Sequence, residues 1–135
     1  MTQSSPGSAA RPLSPHLTVW RWHVTMFTSI AHRATGMALY VGALILAGWC
    51  VALAAGPDAY EAYKGLLGSL LGKLVLFGLT VSVFYHLASG VRHLVWDVGH
   101  GYQLKTASLA SWICIGFGLV AAIAVWVFAA LRGAL

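Results

Sequence analysis

Acidic side chains are almost missing from this 135-residue sequence: Asp58, Glu61 and Asp97 are the only three. Charged residues of both signs make up 8% of it, against roughly 25% in ordinary soluble domains. A soluble fold of this size would lack the polar surface needed to stay dispersed, so a water-soluble domain is excluded. Cysteine is nearly absent as well. Cys50 and Cys114 are the only two, both inside apolar runs, and read as small buried hydrophobes rather than a disulfide or a metal pair. No cysteine run suited to an iron–sulfur cluster and no glycine fingerprint for a flavin or dinucleotide occurs, so no residue is assigned a catalytic role. The opening stretch MTQSSPGSAARPLSPH has no apolar core segment, which argues against a cleaved secretory signal, and its Ser/Pro/Gly content predicts poor order.

What is present is hydrophobic: 59% of the residues. The formal charge of +5 and pI near 9.6 come from eight cations that are scattered rather than clustered. Arg11, Arg21, Arg33, Lys64, Lys73, Arg92, Lys105 and Arg132 lie mostly at the ends of apolar runs. They mark where helices leave a bilayer and do not form a nucleic-acid stripe. Crossing a membrane takes about 20 helical residues, and three stretches suffice: about 29–55, 66–97 and 107–131. The fold expected is an all-α membrane protein, a three-helix up-down-up bundle completed by a partner chain. It divides into an N-terminal segment, 1–28, and a three-helix transmembrane domain, 29–135. GPDAYEAYKG separates the first two spans, with Tyr60 and Tyr63 expected at headgroup level, and VGHGYQLK separates the last two. The cation balance places the N-terminus and the second loop in the cytoplasm or mitochondrial matrix. Gly68 with Gly72, and Gly116 with Gly118, read as close-packing positions.

An ionisable residue inside a span costs a few kcal/mol and is a functional hypothesis by default. His86, Gly90, His93 and Asp97 recur at i, i+4, i+7 and i+11, one helical stripe. Imidazole can ligate a haem iron, and a glycine one turn on lets a porphyrin lie near the helix; the plainer alternative is a packed histidine bonded to a neighbouring helix. His86 and His93 approach from one side and cannot ligate the same iron from opposite faces. Arg92 and His93 suit the rim, where propionates would meet cations. His32 is expected level with His93, and Met37 nearer the depth of His86, so ligation by Met37 is conceivable, although a second ligand from a partner chain fits better. A second stripe, Ser29, Arg33, Gly36 and Tyr40, offers a hydroxyl and a guanidinium to a quinone carbonyl. The plainer reading of Arg33 is a headgroup anchor.

These residues also carry a family resemblance. HLASGVRHLVWDVG, His86 to Gly99, matches H-x3-G-[apolar]-R-H-[apolar]-x-[aromatic]-D-x-G throughout. RPLSPHLTVWRW at Arg11 to Trp22 and SIAHRAT at Ser29 to Thr35 carry Arg-Pro followed by S-x2-H-R-x-[ST]. Both resemble the signatures of the large membrane anchor of succinate dehydrogenase, a b-type cytochrome. The resemblance implies a four-subunit complex. A flavoprotein and an iron–sulfur subunit would hold the FAD and the clusters, and two small anchors would share a haem b and a ubiquinone site. It further implies His86 as axial ligand to the haem iron, with the other ligand from the smaller anchor. His32, Arg33 and His93 would lie near the propionates, Ser29 and Arg33 at the quinone, and Trp20 and Trp22 toward the iron–sulfur subunit. The expected location is a bacterial cytoplasmic membrane, multi-pass with the N-terminus inside, in preference to the mitochondrial inner membrane. The alternatives are the anchor of a fumarate reductase and a purely structural haem-free anchor. A self-contained dihaem cytochrome fits least, because only His86 is deep.

Overall fold

The computed structural model describes residues 19–133; Arg11 and the rest of the opening stretch lie outside them. Four helices follow one another: α1 (Val24–Ala55), α2 (Pro57–Gly68), α3 (Leu70–Asp97) and α4 (Leu104–Leu131). Three of them, α1, α3 and α4, are long and apolar enough to cross a membrane, as the sequence predicts. Their boundaries are set by local chemistry. His23 caps α1, its ring accepting from the Thr25 amide, so the helix begins five residues before the predicted span. Gly56 ends it at φ 113°, and Pro57 opens α2 at the first helical position, where its missing N–H costs nothing.

The predicted second span divides in two. Residues 66–68 belong to α2, and Ser69 breaks the chain, donating to the Leu66 carbonyl at 2.7 Å while accepting from the Gly72 amide at 3.1 Å. Gly72 is needed there because a Cβ would collide with the Leu66 and Leu67 carbonyls; the close approach is to the preceding turn, not to another helix. α2 lies back against α1, with the Tyr63 hydroxyl donating to the Ile45 carbonyl at 2.7 Å over Gly48. Replacing Tyr63 by phenylalanine is expected to cost about 1 kcal/mol, seen as faster amide exchange in α2 with the α1–α3 contact unchanged. On the exposed face of α2, Glu61 and Lys64 pair at 2.9 Å. The carboxylate's hydrogen bond and charge hold the Lys64 ammonium above its ordinary pKa.

Thr28 near the start of α1, Arg92 near the end of α3 and Ser111 near the start of α4 meet in one cluster. α1 and α4 therefore run parallel, with α3 antiparallel to both, the up-down-up order expected. The interior is thin and polar: Thr28, Ser82, Ser89, Arg92 and Ser111 are buried beside Ala52, Tyr85, Cys114 and Ala122, while large apolar side chains cover the outside. This distribution suits lipid as solvent, where helices gain from small residues and interhelical hydrogen bonds rather than from hiding leucines. Gly118 is the tightest crossing, since a Cβ there would stand 2.8 Å from the Tyr85 Cβ. Gly116 and Gly68 have nothing within 4 Å and serve no packing within this chain. At the far end Trp126 donates to Thr80 at 3.1 Å, joining α4 to α3.

Candidate functional site: three stacked histidines between two spans

His86 lies eleven residues before the end of α3, about 16 Å along the axis. That places its ring well inside a hydrocarbon layer about 30 Å thick. Its Nδ1 is 3.1 Å from the Thr35 Oγ1 and 3.2 Å from the His32 carbonyl, both on α1. The Thr35 hydroxyl hydrogen is already given to the Ala31 carbonyl at 2.8 Å, and a carbonyl can only accept. Nδ1 must therefore carry the proton and donate, which leaves Nε2 with its lone pair free. Gly36 makes the approach possible: a Cβ there would sit 3.1 Å from the His86 Cε1.

The three histidines expected near one another do come together, in a different order from that read in the sequence. The His32 ring lies between the other two. It stacks on His86 with centroids 3.9 Å apart and planes 11° apart, and on His93 at 4.9 Å and 29°. His32 is thus closer to His86 than to His93, because α1 crosses α3 with His32 in the gap between two turns. Its Nδ1 is buried without a hydrogen-bond partner. The His93 Nδ1 donates to the Ser89 carbonyl at 2.7 Å, fixing its tautomer in the same sense as His86. Met37 does not reach the site: it is 74% exposed, while its neighbour Gly36 faces the ring. A side chain added at Gly90 would meet nothing within 4 Å, so packing within this chain does not require a glycine there.

Arg92 departs furthest from expectation. It does not face outward at a rim beside His93 but turns into the bundle, 6% exposed. Its Nη1 donates to Ser111 Oγ at 2.6 Å and Thr28 Oγ1 at 3.0 Å, and its Nη2 to Ser89 Oγ at 3.4 Å, with the guanidinium 4.6 Å from the Trp96 ring. The sequence signal for this hub was three small hydroxyls at matching depth on three spans. It is visible only once the register of the helices is known.

Ser29 is half-buried and Arg33 exposed, one turn apart on α1 beside His32. Tyr40, further along the same stripe, is 71% exposed. Trp20 and Trp22 precede α1, both exposed, edge to face at 4.9 Å. A groove of about 430 Å³ between α1 and α4, lined by Trp22, His23, Val24, Phe27, Trp112 and Ile115, lies on the other flank of α1 from the stacked rings. Its lining is almost wholly apolar, so we place the chemistry at the histidines rather than there.

Residues 8–125 match the family model described as succinate dehydrogenase/fumarate reductase transmembrane subunit. The chain belongs to that family. Among its relatives, the succinate dehydrogenase cytochrome b556 subunit of Paracoccus denitrificans is 38% identical over 113 residues, covering 84% of this chain and 87% of the relative. The corresponding subunit of Rickettsia felis is 32% identical over 118 residues, 87% and 91% respectively. The mitochondrial cytochrome b560 subunit of Sus scrofa is 41% identical over 99 residues, 70% of this chain and 57% of the relative. The matched region takes in all of α1, α2 and α3 and most of α4. The stacked rings, Thr35, Gly36 and the Arg92 hub therefore all lie within the part shared with the transmembrane subunits.

Proposed function

We propose that this chain is the larger membrane anchor of a succinate:ubiquinone oxidoreductase, supplying half of a haem b site and part of a ubiquinone-reduction site. The observation that carries this reading is the state of His86: a deep imidazole with Nδ1 engaged by Thr35 and the His32 carbonyl, and Nε2 left as a free ligand atom. A second partner on the non-ligating nitrogen is what orients histidines bound to metals and raises their basicity. The residues fit a haem in three further respects. Gly36 permits the ring's position, Gly90 leaves room on the exposed side of α3, and the buried His32 Nδ1 lacks a partner within the chain.

His86 would hold the iron, with the opposite axial ligand from a smaller anchor subunit; His32, Arg33 and His93 would face the propionates. When bound, the haem supplies a one-electron store between the iron–sulfur clusters and the quinone. Ser29 and Arg33 bind and orient ubiquinone. The hydroxyl donates to one carbonyl oxygen, and the guanidinium stabilises the negative charge that develops on reduction. The chain does not itself oxidise succinate; flavin and clusters belong to the flavoprotein and iron–sulfur subunits, which dock at the Trp20–Trp22 end. The parallel placement of α1 and α4 brings Arg21, Arg33 and Lys105 with Asp97 to one membrane face, against Lys64, Lys73 and Arg132 with Asp58 and Glu61 at the other. This supports a bacterial inner membrane with the N-terminus in the cytoplasm.

The test is a reduced-minus-oxidised absorption spectrum of the purified complex. A b-type band is expected. A spectrum without one would leave a haem-free structural anchor and overturn the proposal. Arg33→Ala is expected to lower ubiquinone reduction by roughly 100-fold, the usual cost of removing one charge-stabilising donor, while succinate oxidation with a soluble artificial acceptor stays unchanged.

A further inference from the structure

Arg92 is a cation buried in a membrane span with no carboxylate to balance it. The chain's three acids are Asp58, Glu61 and Asp97. Among the described residues the one ion pair joins Lys64 to Glu61, on α2. Hydroxyls and an aromatic face satisfy the guanidinium in part, and its Nε is buried without a partner. Stability alone does not account for such a residue, because well-packed apolar side chains often serve a buried charge site as well or better. Its contacts point elsewhere. Ser89, which accepts from Nη2, also gives its carbonyl to His93 Nδ1. Thr28, which accepts from Nη1, lies one turn before His32 and gives its carbonyl to the Tyr85 hydroxyl at 2.7 Å, next to His86 in sequence. Every hydroxyl that Arg92 holds on α1 and α3 is within about one turn of one of the three stacked rings.

We propose that Arg92 is a positioning residue for the histidine cluster: it locks the register of α1 against α3 and supplies an unbalanced positive charge that favours reduction of the group held by His86. This rests on the reading of His86 as a haem ligand. Reduction adds one electron, so a nearby cation stabilises the reduced form. Arg92 is six residues from His86, about 9 Å along the helix. At the effective dielectric of about 20 that suits buried sites, a unit charge changes the reduction equilibrium constant by roughly twentyfold at about 9 Å and roughly tenfold at about 12 Å, the longer distance suiting a group held beyond the His86 ring.

The experiment is a redox titration of the haem band in the intact complex, comparing wild type with Arg92→Gln, Arg92→Lys and Ser111→Asp. Removing the charge in Arg92→Gln is expected to lower the reduction equilibrium constant about tenfold, a fall of 59 mV for one electron. Arg92→Lys keeps the charge and is expected to hold most of the wild-type potential while weakening the hydrogen-bond hub. Ser111→Asp places a carboxylate against the guanidinium and is expected to lower the potential as Arg92→Gln does. It decides the matter if Arg92→Gln does not assemble. A b-type band whose potential is unchanged by neutralising Arg92 in either way would overturn the inference and leave the haem assignment standing. Loss of the band from wild type would instead overturn the assignment.

Discussion

Replacing His86 by alanine is expected to abolish the b-type absorption band of the assembled complex, or to move it to the position of a haem lacking one axial ligand. Removing even an outer partner of a metal ligand commonly costs 10- to 100-fold in affinity; removing the ligand atom costs more. The substitution does little to the bundle by itself. The ring spends its polar contacts on Thr35 and the His32 carbonyl, and the Thr35 hydroxyl keeps its own bond to Ala31. His86→Ala should therefore leave the complex assembled and succinate oxidation by soluble acceptors intact. The measurement is haem content per complex alongside the redox difference spectrum. A wild-type band in the variant would assign the ligand to another residue.

A comparable loss is expected from Gly36→Leu, at a position that carries no chemistry. A Cβ at Gly36 would already stand 3.1 Å from the His86 Cε1, and leucine adds three more carbons toward the same ring. The ring must rotate away from Thr35 or α1 must withdraw from α3; overpacking of this kind typically costs about 1–3 kcal/mol. Either response removes the Nδ1 donation that fixes the tautomer and aim of His86. Gly36→Ala is expected to be far milder, since a shift of a few tenths of an ångström relieves it. Haem content should therefore fall in the order wild type, Gly36→Ala, Gly36→Leu. Equal haem in all three would show that the contact between the two helices does not set the ligand's geometry.

Much of this arrangement could be read before any coordinates, for reasons that differ from element to element. The three spans were legible because hydrocarbon thickness fixes the length of an apolar run and the few charges mark its ends. Their starts were not, since His23 caps α1 and Ser69 interrupts the second run through local hydrogen bonds that hydropathy does not register. The stripe of His86 and His93 followed from helical period alone. The insertion of His32 between them did not, because it depends on the register of two helices that meet at the ring through Thr35 and Gly36. Arg92 was misplaced for the same reason. A cation near a span end ordinarily faces headgroups, and only the coincidence of Thr28, Ser89 and Ser111 at one depth turns it inward. The sequence shows these hydroxyls but not that they meet.

The hub around Arg92 also bears on how such a chain is made. Spans enter the bilayer in order, and when α1 and α3 are in place the guanidinium has Thr28 and Ser89 but not Ser111, which provides its shortest bond, 2.6 Å. An arginine near the end of a span costs less than the about 2.5–3.5 kcal/mol of one at its centre, but part of whatever penalty Arg92 carries remains until the last helix arrives. Biogenesis thus has a late step at which α4 does more than fill space. It completes the hydrogen bonds of a guanidinium left part-satisfied by its predecessors and latches the two histidine-bearing helices together, so the histidine cluster matures only after the whole chain has been inserted.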